Sequence, residues 1–231
     1  MAKKLSRRLS ACLDALSSLS RIADIGTDHA YLPCHGIATG VIDAAIAIDV
    51  IDGPLAQAKQ TISDYGLSEK IELRKGSGLT PLQVGEVEGV VIAGMGGKLI
   101  AQLLEERLPV AKSLKKMVLQ PQSGAYNLRK MLSKHGFHII MEQLIEEDDI
   151  IYTIITAEPT NEPIILAESS YYFGPMLLKD AKNPLFIKKW QAELKSIDEV
   201  LVKIPFDNPK RLEFEEKKQM IKEVLDDDNH E

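Results

Sequence analysis

The chain has 231 residues, 45% of them hydrophobic, which suits one sizeable domain with an appendage and an ample core. No stretch reaches the apolar length of a membrane span and the basic start MAKKLSRRLS lacks a signal-peptide core, so a cytoplasmic protein is expected. Cys12 and Cys34 have neither zinc nor disulfide spacing, the five histidines lack ligand spacing, so no metal site is expected, and a net charge of −6 by itself argues against nucleic acid.

Leu5, Leu9, Cys12, Leu13 and Leu16 recur at helical spacing and predict an amphipathic helix from Ser6 to Ser18. Arg7 and Arg8 near its start oppose the helix dipole, which favours ligand or phosphate contact over helix stabilisation; idle surface placement is the alternative. The next stretch, RIADIGTDHAYLP from Arg21 to Pro33, reads as a buried parallel strand through Ile25, a bend at Gly26 and a helix from His29 to Thr39. Pro33 is acceptable only in the first turn of that helix or at a kink. In an open α/β sheet such a turn lines a nucleotide-sized crevice at the carboxyl ends of the strands.

A dinucleotide fingerprint needs a glycine where Asp28 stands, so that the backbone can approach a pyrophosphate. A carboxylate there would repel that pyrophosphate by several kcal/mol, roughly, at low effective dielectric. The ligand should be cationic or neutral at this point. S-adenosylmethionine meets the condition, with an adenosine, a sulfonium, an ammonium and no phosphate, and Asp24 and Asp28 would accept from its charged methionine end. Asp28 as a plain helix cap is the competing reading.

Ala44 to Asp49 is the second strand, and its terminal acid lies at the spacing of a ribose-hydroxyl acceptor; an Asp at a strand end is also a common turn former. Gly53-Pro54 opens a helix to about Tyr65, ended by Gly66. Ile71 to Lys75 is a third strand running into Gly76-Ser77-Gly78, a turn suited to an adenine ring or simply to the surface. Gly89 to Ala93 is the most buried-looking strand, and Gly94-Met95-Gly96-Gly97 after it permits either close approach to a ligand or a tight turn. Ile100, Leu103, Leu104 and Leu108 give a helix. A fifth strand, Lys116 to Gln120, ends in Gln120-Pro121-Gln122, whose amides suit a base edge or an ordinary turn. Asn127 to Lys134 is helical. Phe137 to Glu146 and Ile150 to Glu158 form an antiparallel hairpin around Glu147-Asp148-Asp149. Beyond Pro159 to Pro163, Ile187, Trp190, Leu194, Ile197, Leu201 and Ile204 make a coiled-coil seam, Pro205 to Pro209 break it, and Phe214, Ile221 and Leu225 mark a partner helix.

Charge is unevenly distributed along the chain. Lys3, Lys4, Arg7, Arg8 and Arg21 outnumber Asp14, and Lys98, Arg107, Lys112, Lys115, Lys116, Arg129, Lys130 and Lys134 outnumber Glu105 and Glu106. Acids crowd into Glu142 to Asp149 and Asp226-Asp227-Asp228. Such segregation leaves one positive face on an acidic protein, or else only solvated helix faces.

Taken together, SRRL at Ser6 to Leu9, ADIGTDHAYLP at Ala23 to Pro33, AIDV at Ala47 to Val50, AGMGG at Ala93 to Gly97 and LQPQ at Leu119 to Gln122 resemble the bacterial tRNA (adenine-22-N1)-methyltransferase family over nearly the whole chain. The resemblance implies an α/β fold: a Rossmann-like class I methyltransferase domain over 1–160 and a helical antiparallel coiled-coil domain over 161–231. It implies S-adenosylmethionine as cofactor, tRNA as partner, and transfer to N1 of an adenine in the D-arm region. The cofactor pocket would then be lined by Gly26, Asp28, Asp49, Val50, Gly76, Ser77, Gly94 and Met95, with Asp24, Thr27, Gly78, Ala93 and Gly96 beside them. Asp28 would act on the charge or proton of the methylated ring, with His29 and Tyr31 as neighbours. Arg7, Arg8, Lys98, Gln120, Gln122 and Arg129 would contact tRNA. Ser77 departs from the Asp that often meets the adenine amino group, and AGMGG replaces the Asn-Pro-Pro-Tyr of exocyclic-amine methyltransferases, consistent with a ring nitrogen as nucleophile. A methyltransferase of a small molecule or protein and a nicotinamide-binding Rossmann protein remain as alternatives.

Overall fold

The computed structural model describes residues 5–160 and 162–226, so Lys3, Lys4, Asp227 and Asp228 lie outside the described residues. Strands β1 (Arg21–Ile25), β2 (Ala44–Asp49), β3 (Ile71–Lys75), β4 (Gly89–Met95), β5 (Lys116–Pro121), β6 (Phe137–Glu147) and β7 (Ile150–Pro159) form one sheet in the order β3-β2-β1-β4-β5-β7-β6. The first five pair in parallel, and β7 runs antiparallel to both β5 and β6. The winding reverses between β1 and β4, where such sheets bind ligands.

Period-two alternation sends neighbouring residues of each strand into different cores. Val90 and Ile92 of β4 pack under α4 (Gly97–Glu106), α5 (Leu108–Ser113) and α6 (Ala125–Lys134), through Leu104, Val110 and Leu132. Val91 faces the opposite layer, built from α1 (Arg7–Ala15), α2 (Tyr31–Ala38) and α3 (Asp52–Asp64) through Cys12, Leu16, Ile37 and Ile62. With both faces covered, the parallel strands read as apolar runs. Burial pushes both free thiols, Cys12 and Cys34, up to about 12, which leaves them inert.

Three elements differ from the sequence expectation. The helix expected to run through Leu108 stops at Glu106, and a new one starts at Leu108 because Pro109 lacks the N–H that would continue the first. The helix expected from His29 begins at Tyr31, since Asp28 and Ala30 hold left-handed φ values of 51° and 56°. A short helix, α7 (Glu168–Phe173), precedes α8 (Pro184–Lys203) and α9 (Lys210–Asp226); the latter two pack as a hairpin around Phe186, Trp190, Ile197 and Ile221. The β6–β7 hairpin turns on Asp148 and Asp149 with φ of 51° and 60°, the positive pair that a two-residue turn needs.

One buried ion pair ties the helical arm to the sheet. Arg129 of α6 is 2% exposed and donates from Nε to Glu142 of β6 at 2.7 Å. Its Nη1 donates to the carbonyls of Tyr171 and Tyr172, both at 3.0 Å, while Glu142 accepts the Met176 amide at 3.1 Å. Gly174, at φ 102°, leaves the space: a Cβ there would overlap the Glu142 carboxylate. Arg129, expected from the sequence to contact tRNA, is thus engaged inside the protein by Glu142 and the two arm carbonyls. Glu142→Gln leaves the guanidinium buried and unmatched and is expected to cost about 3–5 kcal/mol in urea unfolding; a loss below about 1 kcal/mol would show that the pair does not hold the arm.

Candidate active site

A cavity of about 590 Å³ opens at the carboxyl ends of β1, β2 and β4. Its floor is the turn after β1. Gly26, at φ 71°, and Thr27 both donate their amides to the Ile48 carbonyl, at 2.8 and 3.0 Å, which folds the turn onto β2. A Cβ on Gly26 would overlap Met95 Cε, so the left-handed glycine also seats the end of β4.

Three carboxylates face this cavity. Asp24 is 6% exposed and accepts from Thr27 Oγ1 at 2.7 Å. Burial lifts its pKa to about 6; the Thr27 hydroxyl opposes that rise, and Asp49 and Asp28 add to it. Asp49, half-buried at the end of β2, accepts the amides of Ile51 at 3.0 Å and Asp28 at 3.4 Å. The Asp28 side chain is 71% exposed, at the mouth, with His29 Nε2 3.6 Å from its carboxylate. The helix cap here is Ala30, with no side-chain bond, so Asp28 is not a cap. His29 and Tyr31 stack with centroids 5.2 Å apart; Tyr31 lines the cavity and His29 is not among its lining residues.

The other wall comes from the glycine-rich turns. Gly76, Ser77 and Gly78 line it, as do Val50, Ala93, Gly94 and Met95. Gly94, at φ 78° in a bulge of β4, donates its amide at 3.0 Å to Gln120 Oε1. Gly96 lies outside the lining and caps α4. Among the described residues Arg8 is the only Lys or Arg in the lining; it donates to Gln120 Oε1, lies 5.0 Å over the Tyr152 ring and is 3.8 Å from Glu147. Among the described residues no group of three or more His, Cys, Asp or Glu is placed to hold a metal ion.

The family model for TrmK, tRNA (adenine(22)-N(1))-methyltransferase, matches residues 22–229. The chain belongs to this family. The tRNA (adenine(22)-N(1))-methyltransferase of Bacillus subtilis is 35% identical over 96% of this chain and 93% of its own. A Streptococcus pneumoniae putative tRNA (m1A22) methyltransferase, solved with S-adenosyl-L-methionine, superposes with a TM-score of 0.87 at 36% identity, covering 96% of this chain and all (100%) of that one. The M. capricolum TrmK bound to S-adenosyl-homocysteine gives 0.88 at 28% identity, covering 97% and 99%. The TrmK fold thus agrees with the seven-stranded sheet and helical arm described above.

Placed on this TrmK chain, the expected tRNA contacts separate into two groups. Arg7, Lys98 and Gln122 are exposed and Arg8 reaches into the cavity. Gln120 is not available to a base: it is 0% exposed, its Oε1 engaged by Arg8 and Gly94, and it acts as a bracket between α1 and β4. Much of the basic run is likewise spent internally. Arg107 holds the carbonyls of Thr80 and Leu82, Lys112 those of Gly136 and Thr160, and Lys115 pairs with Glu88. Sequence reasoning missed the apolar rim of Ile51, Pro54, Leu99 and Leu103. An apolar residue two positions after a strand-end Asp, as Ile51 is after Asp49, was the available signal.

The Asp24 shift carries a prediction about stability. An acid whose folded pKa lies above its unfolded value costs nothing below about pH 4, and the cost grows to on the order of 3 kcal/mol as pH passes 6. Asp24→Asn, which keeps the acceptor for Thr27, should raise the thermal midpoint at pH 7 and leave it unchanged at pH 4. Equal shifts at both pH values would disprove the linkage.

Proposed function

We propose that this chain transfers a methyl group from S-adenosylmethionine to N1 of adenine 22 in tRNA, in the cytoplasm where tRNA matures. The observation that carries the cofactor reading is the carboxylate floor, Asp24, Asp28 and Asp49 in one cavity with, among the described residues, a single lining cation, Arg8. A pyrophosphate would be repelled there and a sulfonium and ammonium attracted, which disfavours a nicotinamide dinucleotide. When bound, S-adenosylmethionine supplies an activated methyl on a sulfonium that leaves as a neutral thioether.

The residues of the chain have the remaining tasks. Asp49 is suited to accept from the ribose hydroxyls, and Val50 with the Gly76-Ser77-Gly78 turn to enclose the adenine. Arg8, Gly94 and Gln122 form the acceptor side: a Cβ on Gly94 would sit 3.7 Å from Arg8 Nη1 and 3.8 Å from Gln122 Nε2. Their work is alignment, since the leaving group is already good. Adenine N1 lies on the pairing edge, so the base must be turned out of its stack at a cost of a few kcal/mol, roughly. Methylation makes the ring cationic, and Asp28, at the mouth beside His29, can stabilise that charge or take the N6 proton. We assign residues 1–160 to catalysis and 161–231 to holding the RNA.

Incubation with an unmodified tRNA transcript and labelled cofactor should place the label at N1 of adenine 22 by nucleotide mapping; label elsewhere, or on no RNA, would overturn the reading. Asp28→Ala should lower turnover about a hundredfold with cofactor still bound. Turnover within threefold of native would remove Asp28 from the chemistry.

A further inference from the structure

A second cavity, of about 410 Å³, lies between the loop after β5 and the helical arm, lined among others by Gln122, Ser123, Tyr126, Tyr172, Lys189 and Trp190. It shares a wall with the active site. Gln122 Nε2 stands over Gly94 of the first cavity, and a Cβ on Gly96 would sit 3.9 Å from Ser123 Oγ. An RNA strand that delivers a base against Gly94 from the side of the arm would pass over this wall.

The lining has the chemistry of a nucleotide site. Tyr126 and Tyr172 pack with centroids 4.5 Å apart and 39° between planes, a ready surface for a stacked base. The charges are not balanced. Arg129 is matched by Glu142 and Lys217 by Glu193, but Lys189 donates to the Thr153 hydroxyl at 2.7 Å and has no carboxylate in ion-pair range among the described residues. Burial, with the neighbouring Arg129 guanidinium, holds Lys189 down to about 8 against the pull of Glu193 and Glu142, so it is still mostly an ammonium near neutral pH, and an arriving anion would stabilise that charge. The buried Trp190 indole Nε1, in the same lining, has no acceptor among the described residues. An orphaned donor and an unmatched ammonium in one cavity call for an acceptor-rich, anionic occupant. The volume is in the range of small-ligand sites, and suits a single nucleotide.

We propose that this cavity is a nucleotide subsite that holds a tRNA residue flanking the methylated adenine, its base against Tyr126 and Tyr172 and its phosphate on Lys189. The inference rests on the tRNA reading above and adds a place for the RNA beyond the acceptor base. Holding the neighbour fixes the strand on one side of the displaced base, so the arm takes part in positioning as well as in affinity.

The test is steady-state methylation of an unmodified tRNA transcript by the full chain and three variants. Lys189→Gln should raise KM for tRNA at least fivefold, with kcat and S-adenosylmethionine affinity within twofold and an unchanged thermal midpoint. Lys217→Gln leaves Glu193 unmatched in the same cavity and should also raise KM; it decides the matter if Lys189→Gln does not fold. Lys195→Gln, exposed on the same helix outside the cavity, should behave as native. Native methylation of tRNA with KM within twofold in both cavity variants overturns the subsite alone, whereas no transfer to tRNA by the native chain overturns the function and the subsite together.

Discussion

The contact between Arg129 and Glu142 determines more of this molecule than any residue of the active site. It is a charge pair almost without solvent, joined by two arm carbonyls and an arm amide. Desolvating two ions is expensive, and only complete satisfaction of their donors and lone pairs offsets it. That requirement fixes the position of α6, the middle of β6 and the chain around Gly174 relative to one another. Phe173, next to this node, then packs 4.6 Å from the Trp190 ring and so begins the arm's own small core. Arm and sheet are consequently parts of one arrangement, and a cavity can persist in the angle between them.

At the other end of the sheet, selectivity comes from withholding rather than supplying partners. Turns that bind phosphates present amides and avoid carboxylates. Here the amides of Gly26 and Thr27 are consumed by Ile48, and the Asp28 amide leans on Asp49. The turn keeps its bend, and what it offers a ligand is negative charge. The glycines serve geometry: Gly26 and Gly94 hold left-handed backbone where β1 and β4 reach the cavity.

The parts legible in sequence were those governed by local rules. The buried strands, the bend at Gly26, the strand-end Asp49 and the seam of α8 each follow from periodicity and turn chemistry within a few residues. Arg129 and Gln120 were read as reaching outward because their partners lie far off in the chain, Glu142 across a helix–strand turn and Arg8 112 residues away. The polarity of a side chain says that it needs partners and does not say whether they are water or protein. The same reason undid the basic run, where Arg107 and Lys112 hold carbonyls. The antiparallel hairpin was plain from Glu147-Asp148-Asp149, but insertion of β7 between β5 and β6 depends on sheet pairing that no local pattern encodes.

Glu147, at the last position of β6, accepts the Arg7 amide at 2.6 Å across 140 residues and puts a carboxylate at the otherwise electropositive start of α1. The first helix therefore has its anchor in one of the last strands. During synthesis at about 5–20 residues per second, roughly 7 to 28 seconds separate the two on the ribosome. Arg8 likewise meets Glu147 and the Tyr152 ring only once that gap is closed, so the first helix gains its contacts with the hairpin when the last strands exist.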